Sequence, residues 1–352
     1  MNNASPLVAD SNLVWNRYRH NFSRYLLGVA RYLQTSMMET LQDQCGHNHL
    51  RLGFSPYITL LGEQDRRLTD LADALLISRQ ACNQAVKQIE IAGYITRTAD
   101  SKDGRAKQLS LSPQGVRLRH DGMRIVTLMD TRFTEITGER AIADASKSLG
   151  KIYRHLALGP TQQHSQPTAG IGMGAFLPGI SDYILQRLMT LTREKGNPGL
   201  KLSFGQVLTL IGPSGGRIQQ IAAIHDVSKQ AISAIATELE ELGYLQRDVD
   251  PLDARQIVLM FTERGERLIT DSVASVDDLE TELASIIGLA AQKRLNKTLY
   301  ELYRGLRLEQ EIFENNSTAD ISLLAHQLQQ QLGEHGSQVL ARLLLNPSEN
   351  AR

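Results

Sequence analysis

The sequence predicts a mainly α-helical fold with small β-wings, arranged as two winged helix-turn-helix domains in one chain. Three observations predict it: an internal repeat, a helix-turn-helix periodicity within each copy, and a short alternating hairpin after each second helix. A chain of 352 residues is long for one helical domain and sufficient for two, each with its own core.

The repeat carries the most weight. Residues 68–118 align with 218–268 without a gap, at an offset of 150, and roughly fifteen of about fifty columns are identical. The identities include Ser78/Ser228, Gln80/Gln230, Gly93/Gly243, Tyr94/Tyr244, Arg97/Arg247, Asp103/Asp253 and Arg105/Arg255. Two long copies fit duplication of a whole domain, whereas a solenoid has shorter units.

Each element follows in order. Leu71, Ala72, Leu75 and Leu76 recur at helical spacing, Ile77-Ser78 interrupts, and a second amphipathic run turns Ala81, Ala85, Val86, Ile89 and Ala92 inward. Ser78 and Ser228 stand at the N-cap, where a hydroxyl accepts from a first-turn amide. Gly93 and Gly243 close the second helix, because a left-handed residue after the last turn costs least as glycine. Residues 94–97 and 108–111 alternate around the polar 100–104 turn, which is a hairpin pattern. Helical periodicity resumes from Ser112 and Thr262, through Met123, Val126, Met129 and Phe133 in one copy and Leu268, Val273, Val276 and Leu283 in the other.

The combined string resembles the MarR family. It stands as Gly93-Tyr94, Asp100-Ser101-Lys102-Asp103-Gly104-Arg105 and Leu111-Ser112-Pro113-Gln114-Gly115, and again as Gly243-Tyr244, Asp250-Pro251-Leu252-Asp253-Ala254-Arg255 and Phe261-Thr262-Glu263-Arg264-Gly265. With flanking helices the resemblance covers 13–157 and 174–310, joined by a linker at 158–173 that is rich in Pro, Gly, Gln and Thr. Members are usually homodimers with interlocked terminal helices, so the resemblance implies an intramolecular pseudo-dimer with a helical dimerisation region. Residues 317–346 read as a C-terminal helical extension that caps that region or mediates further association.

A helix-turn-helix lays its second helix in the major groove of double-stranded DNA. The candidate contacts are Ser78, Arg79, Gln80, Asn83, Gln84 and Lys87 in the first copy, and Ser228, Lys229, Gln230 and Ser233 in the second. Arg suits guanine O6/N7, while Asn or Gln suits adenine N6/N7. Lys102, Arg105 and Lys107 lie on the first wing and Arg255 on the second; the resemblance implies that Arg105 and Arg255 enter the minor groove, whose negative potential attracts arginine.

Net charge is zero overall but differs between copies. Residues 66–119 hold ten Lys/Arg against five acids, and residues 216–269 hold six against nine. The first copy therefore has the electrostatic footprint of a DNA binder and is expected to make the stronger contact. The expected function is a sequence-specific transcriptional regulator, read as a repressor. The alternative is a winged-helix protein-interaction module with DNA binding reduced or lost in the C-terminal half.

Other signals are weaker. Tyr18, Phe22 and Tyr25, with Trp15 and Tyr32, are placed on one first long helix, followed by Phe54 and Tyr57; the resemblance implies that a small aromatic effector binds there, while interdomain core is the competing reading. Cys45-Gly46-His47-Asn48-His49 could ligate zinc but reads as a polar loop, so no metal is expected. Cys82 reads as a small buried hydrophobe. No phosphate loop or nucleophile elbow points to an enzyme, and no cofactor is implied. No run of about 18 uncharged apolar residues suggests a membrane span, and the N-terminus lacks a secretory pattern, so the expected compartment is the cytoplasm.

Overall fold

The computed structural model describes residues 6–75, 77–99, 107–158, 171–212, 215–224, 227–250 and 253–308, with isolated positions between 329 and 338; the side chains of 6–12, 206, 224 and 253–256 lie outside that set. The described residues form two compact units. One draws on 21–185 and 278–305, the other on 1–20, 186–277 and part of 306–352.

The first unit holds α2 (Phe22–Glu39), α3 (Ser55–Glu63), β1 (Arg66–Arg67), α4 (Leu68–Ala74), α5 (Arg79–Ile91), β2 (Ile95–Ala99), β3 (Lys107–Leu111), α6 (Pro113–Thr137) and α7 (Glu139–His155). The second opens with α1 (Pro6–Arg19) and repeats the order with α9 (Gly205–Leu208), β4 (Gly216–Arg217), α10 (Ile218–Ile224), α11 (Lys229–Glu241), β5 (Leu245–Asp250) and β6 (Asp253–Phe261). Helices α8 (Leu177–Glu194) and α12 (Glu263–Ile287) give residues to both units, and α13 (Leu289–Gly305) belongs to the first.

The hairpin forms as expected, β2 against β3, with Ile95 opposite Leu111 and Ala99 opposite Lys107. Each sheet has a third strand that the alternation did not reveal, giving the orders β1-β3-β2 and β4-β6-β5. Arg66-Arg67 and Gly216-Arg217 are too short to show a period of two. Ser78 and Ser228 cap α5 and α11, accepting from the Ala81 amide at 3.1 Å and the Ala231 amide at 3.2 Å. Gly93 and Gly243 follow with φ of +86° and +75°.

The repeated Gly-Tyr and [ST]-x-x-G signatures form one joint. The Ser112 hydroxyl donates to the Gly93 carbonyl at 2.6 Å and accepts from the Gly115 amide at 3.0 Å. Thr262 does the same with Gly243 at 2.6 Å and Gly265 at 3.1 Å. A Cβ on Gly115 or Gly265 would overlap the carbonyl oxygen of Tyr94 or Tyr244. Leu60, Leu71, Cys82, Val86, Ile89, Tyr94 and Leu109 fill the core beneath the first copy's joint.

Two expectations need correction. Ala81 is exposed, and Cys82 takes the inward position of that turn. The first long helix is two helices: Asn21 is extended at φ −150° and ψ 162°, and its side chain accepts from the Arg24 amide at 2.9 Å, which starts α2 afresh. Trp15 and Tyr18 consequently belong to the second unit, where Trp15 packs on Phe261 with centroids 5.6 Å apart and Arg17 pairs with Asp277 at 2.6 Å. In the first unit, α13 packs against α2, α6 and α7, and Tyr25 meets Tyr300 and Tyr303 at 5.2 and 5.3 Å. Most of the predicted linker and C-terminal extension lies outside the described residues.

Candidate nucleic-acid interface

Helix α5 buries Cys82, Val86 and Ile89 and leaves Arg79, Gln80, Gln84 and Lys87 on its exposed face. Ser78 caps its first turn, and a helix N-terminus of this kind is suited to a phosphate. Lys107, at the start of β3, is also exposed. Arg79, Lys87 and Lys107 make no ion pair among the described residues, so their charge is available to a polyanion. Lys102 and Arg105 lie outside the described residues.

Asn83 is half-buried at the edge of that face, between Arg79 and Lys87. Arg97 reaches it from β2, donating Nη2 to Asn83 Oδ1 at 3.3 Å and Nε to Glu90 Oε2 at 2.8 Å. The guanidinium thus ties the wing to the flank of α5. Arg66 is also internal, 8 % exposed, donating to the Leu60 carbonyl at 3.4 Å and pairing with Glu63 at 3.4 Å. At least two of the ten basic residues in the charge count, Arg66 and Arg97, therefore serve the fold.

The second copy keeps the frame and spends a larger share of its six cations on it. Ser228, Lys229 and Gln230 are exposed at the start of α11, and Ser233 is half-buried. Arg217 pairs with Asp250, which is 3 % exposed, and Arg247 pairs with Glu240. Arg267 pairs with Glu263 at 2.5 Å, and Arg264 lies 4.7 Å over the Tyr244 ring. Arg255 lies in β6, its side chain outside the described set. Val249 faces Ile257 across the hairpin where the first copy has Ala99 and Lys107, and both apolar side chains are exposed. Asp250 belongs to the wing signature in sequence, yet it is a buried brace, which its acidic type alone does not signal.

The remaining candidates separate. Phe54 and Tyr57 sit in the first copy's core, Phe22 and Tyr25 are buried in the same unit, and the Tyr18 hydroxyl in the second unit donates to the Leu208 carbonyl at 3.3 Å. Burial of this extent is what core side chains show. His47 is buried with Nε2 3.0 Å from Asp121 Oδ2, and Arg124 lies 3.5 Å from the Cys45 sulfur, so this loop is pinned to α6. Among the described residues no cluster of His, Cys, Asp and Glu could hold a metal, and no helix is long and apolar enough to cross a membrane. Burial pushes the Cys82 thiol above its ordinary value, with nearby Arg97 opposing.

Residues 57–106 match the model of the MarR family. No curated protein matches the chain. Similar solved structures include CouR from Rhodococcus jostii RHA1 bound to p-coumaroyl-CoA, 26 % identical over 39 % of this chain and 95 % of that one, with a TM-score of 0.31. A MarR-family transcriptional regulator from Rhodococcus sp. RHA1 is 25 % identical over 36 % of this chain and 91 % of that one, with a TM-score of 0.30. The MepR F27L mutant of S. aureus bound to an oligodeoxyribonucleotide is 18 % identical over 36 % and 97 %, with a TM-score of 0.25.

Proposed function

We propose that this chain is a sequence-specific DNA-binding regulator of transcription, acting as a repressor, in which α5 and α11 enter the major groove and the two wings approach the minor groove. The carrying observation is the exposed α5 face, where Arg79, Gln80, Gln84 and Lys87 follow a capped first turn beside a hairpin, within the MarR-family match. The first copy supplies the larger share of affinity, because Arg79, Lys87 and Lys107 are exposed while Arg217 and Arg247 of the second copy are paired inside it and Arg267 is paired on its surface. The two copies act as an internal pseudo-dimer; in support, α1 lies in the unit that holds α11, and α13 in the unit that holds α5. A small aromatic effector would act by altering the presentation of these helices.

A second reading has its own observation. The exposed Val249–Ile257 pair suits a protein partner better than phosphate, so the second copy serves as an interaction module. Titrating labelled duplex DNA with the intact chain between about 50 and 200 mM salt tests the first reading. It predicts sequence-selective binding that weakens steeply with salt; absence of binding at the low end would transfer the lead to the second.

A further inference from the structure

The clamp between wing and recognition helix has a consequence for what the helix reads. A guanidinium carries donors only, so the amide of Asn83 must turn its oxygen toward Arg97 and its Nδ2 donors away. Arg97 is itself fixed, with a side chain 19 % exposed and a second bond to Glu90 at 2.8 Å. The second copy repeats the device. Arg247 Nη2 donates to Ser233 Oγ at 3.3 Å, to the Ser233 carbonyl at 3.1 Å and to Thr237 Oγ1 at 3.1 Å, while the guanidinium pairs with Glu240. A serine hydroxyl whose oxygen accepts there points its hydrogen elsewhere.

We propose that Asn83 acts as a hydrogen-bond donor to the base edge, that Arg97 is the residue that positions it so, and that this pair selects guanine over adenine at one step of the binding site. The inference rests on the DNA-binding reading above. A free asparagine meets adenine with one donor and one acceptor, against N6–H2 and N7. Here the acceptor is engaged by a cation, which also repels the partly positive hydrogens of the neutral N6 amino group. Guanine offers O6 and N7, both acceptors, and suits an Nδ2 donor turned away from Arg97. The expected contact at Asn83 is therefore the reverse of the adenine contact that its residue type suggests.

The test is selection of the intact chain on randomised duplexes, comparing the parent with Asn83→Ala, Asn83→Asp and Arg97→Ala. The parent should prefer guanine to adenine by about tenfold at one position, and Asn83→Ala should flatten that preference. Asn83→Asp keeps an acceptor for Arg97, so the clamp and fold persist, yet it presents an oxygen outward; preference there should move to cytosine, which offers only the N4 donor. Arg97→Ala should raise adenine at the same position. Preference for adenine in the parent, an unchanged base preference in Asn83→Asp, or no position altered by Asn83→Ala would each overturn the assignment while leaving DNA binding intact. A parent that selects no duplex would overturn the DNA-binding reading, and this inference with it.

Discussion

The two copies keep the same frame and differ in what the frame presents. Joint residues repeat almost one for one: Ser78 and Ser228 as caps, Gly93 and Gly243 at positive φ, Ser112 and Thr262 as hydroxyls that both donate and accept, Gly115 and Gly265 beneath a tyrosine carbonyl. The outward positions diverge, with Lys87 replaced by Thr237 and Lys107 by Ile257. Backbone geometry tolerates few residue types at the joints. A solvated helix face tolerates many, so charge can leave one copy without disturbing its fold.

The largest effect should come from the shared joint. Gly115→Ala and Gly265→Ala each force a methyl group against a backbone oxygen, and each should destabilise its own unit by about 3 kcal/mol in thermal unfolding. Loss from only one of them would show that the frames differ. Next, Arg79→Ala should weaken duplex binding by roughly 1–3 kcal/mol and Lys229→Ala by less, with melting temperatures near the parent's. Equal losses would make the two helices equivalent readers. The caps come third: Ser78→Ala and Ser228→Ala should each cost about 1 kcal/mol of stability, measured by denaturant titration.

The smallest effect concerns pH and a feature of the first copy. Asp130 accepts from the Gly174 amide at 2.9 Å, yet burial raises its carboxyl above the ordinary 3.8. The fold therefore favours the protonated form: that stability is fully present below 3.8 and lost as pH rises through the higher folded value. Asp130→Asn keeps an acceptor without the charge. It should melt at or above the parent at neutral pH, with the advantage shrinking on acidification toward pH 3.8; an advantage that grew on acidification would contradict the desolvation account.

Much of this was legible in the sequence because caps, glycines and hairpins are short-range devices. Ser78, Gly93 and the alternation at 95–99 and 107–111 act within a few residues of themselves. Long-range partners were not legible. Arg66 and Arg97 look like members of a basic patch until Leu60, Glu63, Glu90 and Asn83 are seen beside them. The break before α2 is hidden in the sequence for a different reason: aromatic periodicity continues through Asn21, and only the extended conformation of that residue ends one helix and caps the next. Ala81 has the apolar type of an inward residue, yet a methyl group is small enough to face water at little cost.

We propose that the first copy carries most of the electrostatic contact with DNA, and the salt slope measures that share most directly. Log K against log salt should be compared, on one selected duplex, for the intact chain, the Arg79→Ala/Lys87→Ala pair and Lys229→Ala. Each lost phosphate contact lowers the slope by about one. The account predicts a fall of about two for the paired change and one or less for Lys229→Ala. A fall with Lys229→Ala equal to that of the paired change would contradict it.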